Sequence, residues 1–243
     1  MPSLPFFNVR FTPSWLMTFL TIVVIALFLR LGFWQVQRAH EKEMMLAAEQ
    51  TRAAQKPVKW TTDQQSPLQY QQLIVEGHYL PNNFLLDNQH QQHQFGYDVI
   101  TALEMDNESV VMIDRGWIPG DNTRRIFPNI EIPAERIQIT GSVYYPSQKQ
   151  WVLGPKMEKA NKVIILELLD SNLLQQILQK KVYPFIIRLD KQEAYGFVRE
   201  WAVVSMPPQR HLAYALQWFV MALVILIIFV ALNIKKNNEK TGS

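Results

Sequence analysis

Residues 11–29 read FTPSWLMTFLTIVVIALFL, and residues 212–234 read LAYALQWFVMALVILIIFVALNI. The first stretch runs 19 residues without a charge and the second 23. Each is long enough, as a helix rising about 1.5 Å per residue, to cross a hydrocarbon core roughly 30 Å thick. A buried helix of a soluble protein is seldom apolar on every face for that length. The sequence therefore predicts a membrane protein: two transmembrane α-helices flanking an antiparallel β-rich (α+β) extracytoplasmic domain. The expected boundaries are a cytoplasmic N-terminus over 1–10, helix one over 11–33, the domain over 34–210, helix two over 211–234 and a cytoplasmic tail over 235–243.

Working outward from the two blocks, charge sets the orientation. The chain carries 24 Lys+Arg against 21 Asp+Glu, a net +3. Arg10, Arg30, Lys235, Lys236 and Lys240, against Glu239, flank the apolar blocks, which leaves residues 34–211 close to neutral. The basicity thus belongs to the membrane flanks, and nucleic-acid binding by the domain is not expected. Arg10 before helix one and the lysines after helix two put both ends on the cytoplasmic side by the positive-inside rule. In a bacterium the domain then faces the periplasm and the helices cross the inner (plasma) membrane. The first block exceeds a signal-peptide core, and Leu29-Arg30-Leu31-Gly32-Phe33-Trp34 offers no small-x-small cleavage site, so it reads as an uncleaved anchor. There is no cysteine, which rules out disulfides, thiolate metal sites and covalent c-type haem attachment.

Between the anchors the period changes. Residues 35–54, rich in Ala, Glu, Gln, Lys and Met, favour a helical extension that Pro57 ends. Residues 70–80, 84–87, 97–105, 109–117, 137–145, 163–168, 182–189 and 197–204 are β-branched and aromatic runs, punctuated by turn residues, that read as strands. Asp106-Asn107 signals a hairpin. Residues 171–179 place Leu173, Leu174, Ile177 and Leu178 at helical spacing behind Ser171 as cap. Pro119 to Arg136 reads as a long loop, and the domain as a small barrel or sandwich.

No nucleophile elbow, phosphate loop, dinucleotide fingerprint or His-Glu-x-x-His occurs, so no catalytic residue is assigned and an enzyme is not expected. His90-Gln91-Gln92-His93 has two readings. It is a metal site completed by Asp87 or His78, or a solvated hairpin tip; without a clear third ligand the tip is preferred. Arg115-Gly116-Trp117 also has two. In one, Arg115 pairs with a carboxylate, Gly116 permits an unusual backbone angle and Trp117 fills a core. In the other, Arg115 and Trp117 stand at a membrane-facing rim and grip a partner or an acidic ligand tail.

The entry to helix two, His211-Leu212-Ala213-Tyr214-Ala215-Leu216-Gln217-Trp218-Phe219, is the candidate site. At 100° per residue, Ala215 and Trp218 lie within about 40° of His211, and Tyr214 about 60° away. A stripe with an imidazole at the interface, a small residue below it and then an aromatic plane suits a flat iron macrocycle. Equally, His, Tyr and Trp are ordinary residues of a membrane-interface belt. Gln217, the sole strongly polar side chain before Asn233, is expected to face protein or ligand rather than lipid.

Several motifs, in order, resemble the surfeit locus protein 1 family, assembly factors of haem–copper cytochrome c oxidase. They are Gly32-Phe33-Trp34-Gln35-Val36-Gln37-Arg38; Gly77-His78-Tyr79; Asp87-Asn88; Gly96-Tyr97-Asp98-Val99; Arg115-Gly116-Trp117-Ile118-Pro119; and the run from His211 to Phe219. The resemblance implies a non-enzymatic role: transient binding of haem a and help with its insertion into the catalytic subunit. His211 matches the family's proposed axial iron ligand, and Trp218 the tryptophan placed near the macrocycle. Tyr214 and Ala215 are expected beside them, with Arg38, Arg115 or Arg210 pairing with the propionates. The implied partners are the oxidase catalytic subunit, membrane lipid and, as a further candidate, the enzyme that makes haem a. Gly32, Trp34, Gln35, Gly77, Tyr79, Asn88, Gly96, Tyr97, Gly116, Trp117 and Gln217 are expected in partner or structural roles. The chain departs from the family at Gln89, where many members place Arg, and residues 150–200 match loosely. The alternative is a cofactor-free scaffold that steadies the nascent subunit.

Overall fold

A computed structural model describes residues 9–121, 123–124, 126–147, 157–160 and 163–236. Residues 1–8 of the expected N-terminal segment, 150–156 and 161–162 of the loosely matching stretch, and the tail from 237, with Glu239 and Lys240, lie outside the described residues. The chain divides into a helical unit, residues 1–46 with 204–243, and a domain, residues 47–203.

In the helical unit, β1 (Val9–Phe11) leads into α1 (Trp15–Ala53), and α3 (Pro208–Asn233) leads into β10 (Ile234–Lys236). The expected span began at 11, but residues 11–14 are not helical. Pro13 interrupts there, and Val9 to Phe11 instead pair antiparallel with Ile234 to Lys236. The Ser14 carbonyl then accepts the Thr18 N–H at 3.0 Å and the Thr18 hydroxyl at 2.9 Å, opening α1. Its 39 residues make a rod of about 58 Å, so the apolar span and the polar extension are one uninterrupted helix. Helix α3 starts at Pro208, three residues before the expected 211, because a proline at the first helical position loses no hydrogen bond. Both helices have windows long and apolar enough to cross a membrane. Gly32 sets how closely they pack: a Cβ there would stand 2.4 Å from the Phe219 ring. Phe33 meets Phe219 edge-on at 5.3 Å, and Phe28 lies 5.6 Å from Trp218.

The domain holds β2 (Val58–Lys59), β3 (Gln72–Gln91), β4 (Gln94–Glu104), β5 (Val110–Pro119), β6 (Arg136–Tyr144), β7 (Met157–Ala160), β8 (Val163–Leu166), α2 (Ser171–Leu178) and β9 (Val182–Leu189). The pairings β3–β4–β5–β9–β6–β3 close a five-stranded ring, and β8 with β7 extends from β3. The sheet is mixed rather than antiparallel as expected: β2–β3, β3–β8 and β5–β9 are parallel. The cause is α2, which carries the chain from β8 to the gap between β5 and β6, a crossover that hairpins cannot make.

The two runs expected at 70–80 and 84–87 are one 20-residue strand. Pro81 falls at a register shift between Tyr79 and Asn83, a bulge where a missing N–H is tolerated. The strand bends there, so its first half pairs β6 and its second half β8. Strand β9 matches its expected bounds. The run at 197–204 is not a strand: only Val198 pairs, bridging Trp117 beside Gly116, whose φ is +110°. Helix α2 is capped by Asp170, not Ser171; the Asp170 carboxylate accepts the Asn172 and Leu173 N–H groups.

Alternate residues of β4, β5 and β9 feed two cores. Leu103, Val111, Ile113, Phe185 and Ile187 join Leu73, Val75 and Trp60 on one face. Ala102, Val110, Met112 and Ile186 join Phe84 and Leu174 of α2 on the other. Strands buried on both faces explain the near-continuous apolar runs in the sequence.

Candidate functional site

The helical unit builds its site from one turn of each helix. His211 is buried, with 9 % of its surface exposed, and its Nδ1 lies 2.7 Å from Gln35 Oε1 of α1. An amide oxygen can only accept, so Nδ1 carries the hydrogen, and the neutral ring keeps a lone pair on Nε2. Among the described residues Nε2 has no hydrogen-bond partner. Nor does it belong to the side-chain atoms sealed in without one, Gln91 Oε1 and Arg188 Nε. A histidine held through one nitrogen and open at the other has the form of a metal-ligating imidazole with its outer support in place.

Ala215 and Ala222 are buried with His211, and Trp218 is half-buried against Phe28. The stripe expected to receive a macrocycle is thus the face of α3 packed on α1. Tyr214 and Gln217 are exposed. Trp34 is exposed, with the Arg38 guanidinium 5.9 Å from its ring centre. Arg38 also pairs with Glu41 at 2.6 Å, one turn on. Arg210 is exposed in the first turn of α3, where its backbone N–H reaches Pro207 O.

The structure neither places Arg115 at a rim nor, among the described residues, pairs it with a carboxylate. It is 1 % exposed, and its donors are taken up inside the domain by Tyr195 O at 2.8 Å, Glu131 O at 3.0 Å and Thr101 Oγ1 at 3.4 Å. The guanidinium stacks between Tyr79 at 5.4 Å and Phe197 at 5.2 Å. Gly116 has the left-sided backbone that glycine tolerates, and a Cβ there would meet Val198 O at 2.6 Å. Trp117 donates its indole N–H to Gln89 O at 3.3 Å and lies over Gly96, where a Cβ would meet the ring at 2.5 Å. Gly77 lets β3 approach β4, its absent Cβ falling on Glu104 O. Tyr97 is buried in the third core beside Leu85 and Val99. Asn88 has φ +60° and donates its N–H to Asp87 Oδ1 at 2.7 Å. Gln92 and His93, both with positive φ, form the tight turn between Gln91 and Gln94, so the run 90–93 is a hairpin tip. At the other hairpin Glu108 is left-handed and Ser109 O accepts the Met105 N–H at 2.9 Å.

Two polar clusters were not foreseen. Asp87, buried, pairs with Arg124 at 2.6 Å. Asp98 and Asp114 lie near each other and near Arg188, whose guanidinium sits 3.6 Å from the centre of the Tyr144 ring. Burial pushes the Asp98 carboxyl up to about 6, with Arg188 opposing. Burial and the Asp98 charge push Asp114 up as well. An acid inside the apolar run VVMID was the available signal for this pair.

The fold and site define a class: a closed-ring β domain inserted in sequence between two long apolar helices joined by a histidine–glutamine contact. The sequence profile of the SURF1 family matches residues 22–223, and the chain belongs to the SURF1 family. A SURF1-like protein of Rickettsia conorii is 25 % identical over 220 residues, spanning 87 % of this chain and 89 % of the relative. One from Rickettsia felis is 25 % identical over 219 residues, 86 % of this chain and 93 % of the relative. The cytochrome oxidase assembly protein SHY1 of Saccharomyces cerevisiae is 31 % identical over 94 residues, 36 % of this chain and 24 % of that protein.

Proposed function

We propose that this chain is a cytochrome oxidase assembly factor that holds haem a on His211 and assists its insertion into the catalytic subunit. In this reading α1 and α3 cross the inner membrane with both chain ends cytoplasmic and the domain periplasmic, in line with Arg10, Lys235, Lys236 and Lys240. Membership of the SURF1 family and the similarity to the yeast cytochrome oxidase assembly protein support the assembly role. The carrier reading rests on one observation: Gln35 engages His211 Nδ1 and leaves Nε2 open. That arrangement fits a haem cargo, whose iron takes a neutral imidazole as axial ligand. Arg38, half-buried, and Arg210, exposed, on the same helical unit, are the residues that would hold its propionates; Arg115, committed within the domain, is left out. A single protein ligand suits cargo that must be given up.

A second reading has its own support. Ala215, Ala222 and Gly32 pack the His211 face of α3 against α1, as a cofactor-free scaffold would require. Absorption spectra and the extracted haem type, from protein purified out of a strain that makes haem a, separate the two. The carrier reading expects bound haem a, lost in His211→Ala and spectrally shifted in Gln35→Leu. Colourless protein that still restores oxidase to cells lacking it would leave the scaffold.

A further inference from the structure

We propose that the domain carries a second binding site, unrelated to His211, which takes a small, mostly apolar carboxylic acid. A cleft of about 460 Å³ opens between the bend of β3 and the loop that precedes β6, a volume typical of small-ligand sites. Its walls include Pro81, Pro128, Ile132 and Val163, and its polar groups include Tyr79 and Asn83. No carboxylate lines it among the described residues.

Three observations give the cleft its preference. First, Tyr79 is more than nine-tenths buried, yet its hydroxyl has no hydrogen-bond partner among the described residues. Burial pushes this phenol up to about 12, so it remains a donor at neutral pH. Second, Arg115 stacks against the Tyr79 ring and has no carboxylate partner among the described residues, only neutral acceptors. A guanidinium buried without a counterion leaves a positive field in its low-dielectric surroundings. Third, a directed chain links that charge to the cleft. Arg115 donates to Thr101 Oγ1, Thr101 donates to Asn83 Oδ1 at 3.4 Å, and the Asn83 amide donates to Ile130 O at 3.1 Å. Each link polarises the next in the same sense. The Asn83 amide has a second hydrogen with no partner among the described residues.

The cleft therefore offers two donors backed by a cation that has only neutral acceptors, opposed at Tyr79 by the Glu193 carboxylate, and set in proline and isoleucine walls. A carboxylate would accept from Tyr79 Oη and Asn83 Nδ2 and supply the counter-charge Arg115 lacks, while an apolar body fills the walls. An amine is repelled, and a neutral amide gains the contacts without the charge.

Fluorine NMR on the full chain in lipid nanodiscs tests this, with 4-fluorophenylacetate and its neutral amide as probes and empty nanodiscs subtracting lipid uptake. The acid is expected to bind saturably and the amide at least tenfold more weakly. Tyr79→Phe, which keeps the ring, is expected to weaken the acid about tenfold, and Ala134→Trp, at the exposed rim, to abolish binding. Equal affinity for acid and amide, binding unchanged in Tyr79→Phe, or no saturable binding of the acid overturns the proposal. Because His211→Ala should leave this binding intact, the result is independent of the haem reading.

Discussion

The helical unit and the domain sort their side chains in opposite ways. In the domain the large apolar groups point inward, and those left exposed among the described residues are Val58, Leu68, Ile126, Tyr195 and Val198. In the helices Leu, Ile, Val and Phe crowd the outside, while Gly32, Ala39, His211, Ala215, Ala222 and Asn233 are buried. Small residues inside and large apolar ones outside is the arrangement favoured when the surrounding medium is itself apolar, because contact between helices then depends on close packing rather than water exclusion. The two regions also bury polarity differently. Each helix-buried polar side chain has a single local partner: Gln35 for His211, and Phe229 O for Asn233 at 2.7 Å. The domain buries whole charges, Arg115 among carbonyls and Asp98 with Asp114 near Arg188. A carrier site in the first setting must be neutral and pre-oriented; the second can hold a standing field.

That contrast is open to breakage, most forcefully at matched positions. Leu223 and Leu68 have similar exposure, 55 % and 61 %. Leu223→Asp should cost about 3 kcal/mol of membrane insertion, seen as lost membrane-fraction protein, whereas Leu68→Asp should stay within about 0.5 kcal/mol in a thermal melt. Equal effects would mean that the helices do not face lipid. Next, Gly116→Ala forces a side chain into a left-sided backbone and onto Val198 O. It should destabilise the domain by about 2–3 kcal/mol, measured by denaturant unfolding of the full chain.

The buried acids sharpen the electrostatic half of the comparison. A carboxyl whose folded pKa is raised binds its proton more readily in the native state. Its ionisation therefore lowers stability as pH climbs from the unfolded value near 4 through the folded value of about 6. Asp98→Asn removes that penalty. It should stabilise the domain by about 1–2 kcal/mol at pH 8, with the gain shrinking between pH 6 and pH 4. A pH-independent gain would show that Asp98 does not titrate in this window. The smallest effect expected is at the α2 cap, where Asp170→Ala should cost about 1 kcal/mol and leave the helical unit unchanged by circular dichroism.

Much of this architecture is readable from residue pattern because its determinants are local. The apolar blocks, the hairpin at Gln92-His93 and the bounds of β9 each depend on a few consecutive residues. The parallel pairings were not readable, since nothing in residues 182–189 states which strands will flank them. Pro81 looked like a stop because the sequence does not reveal that the chain bulges there and resumes. The run 197–204 misled differently: it has strand composition, yet only Val198 pairs with β5. At the site, His211 stands out as an isolated imidazole, and Gln35 lies within the Gly32–Arg38 motif. Their meeting depends on the register of two helices 176 residues apart, which no spacing encodes.

The order in which the ring is assembled sets a constraint on making the protein. Strand β9 sits between β5 and β6, so the circle stays open until residue 189 is available, and the second apolar helix begins at Pro208. From the completion of β6 at Tyr144 until Leu189 is made, β5 and β6 are edges awaiting a neighbour, prone to pairing with strangers. Closure of the domain and completion of the second apolar helix thus follow closely on each other, and a chain truncated before Val182 would have the first apolar helix but no finished domain.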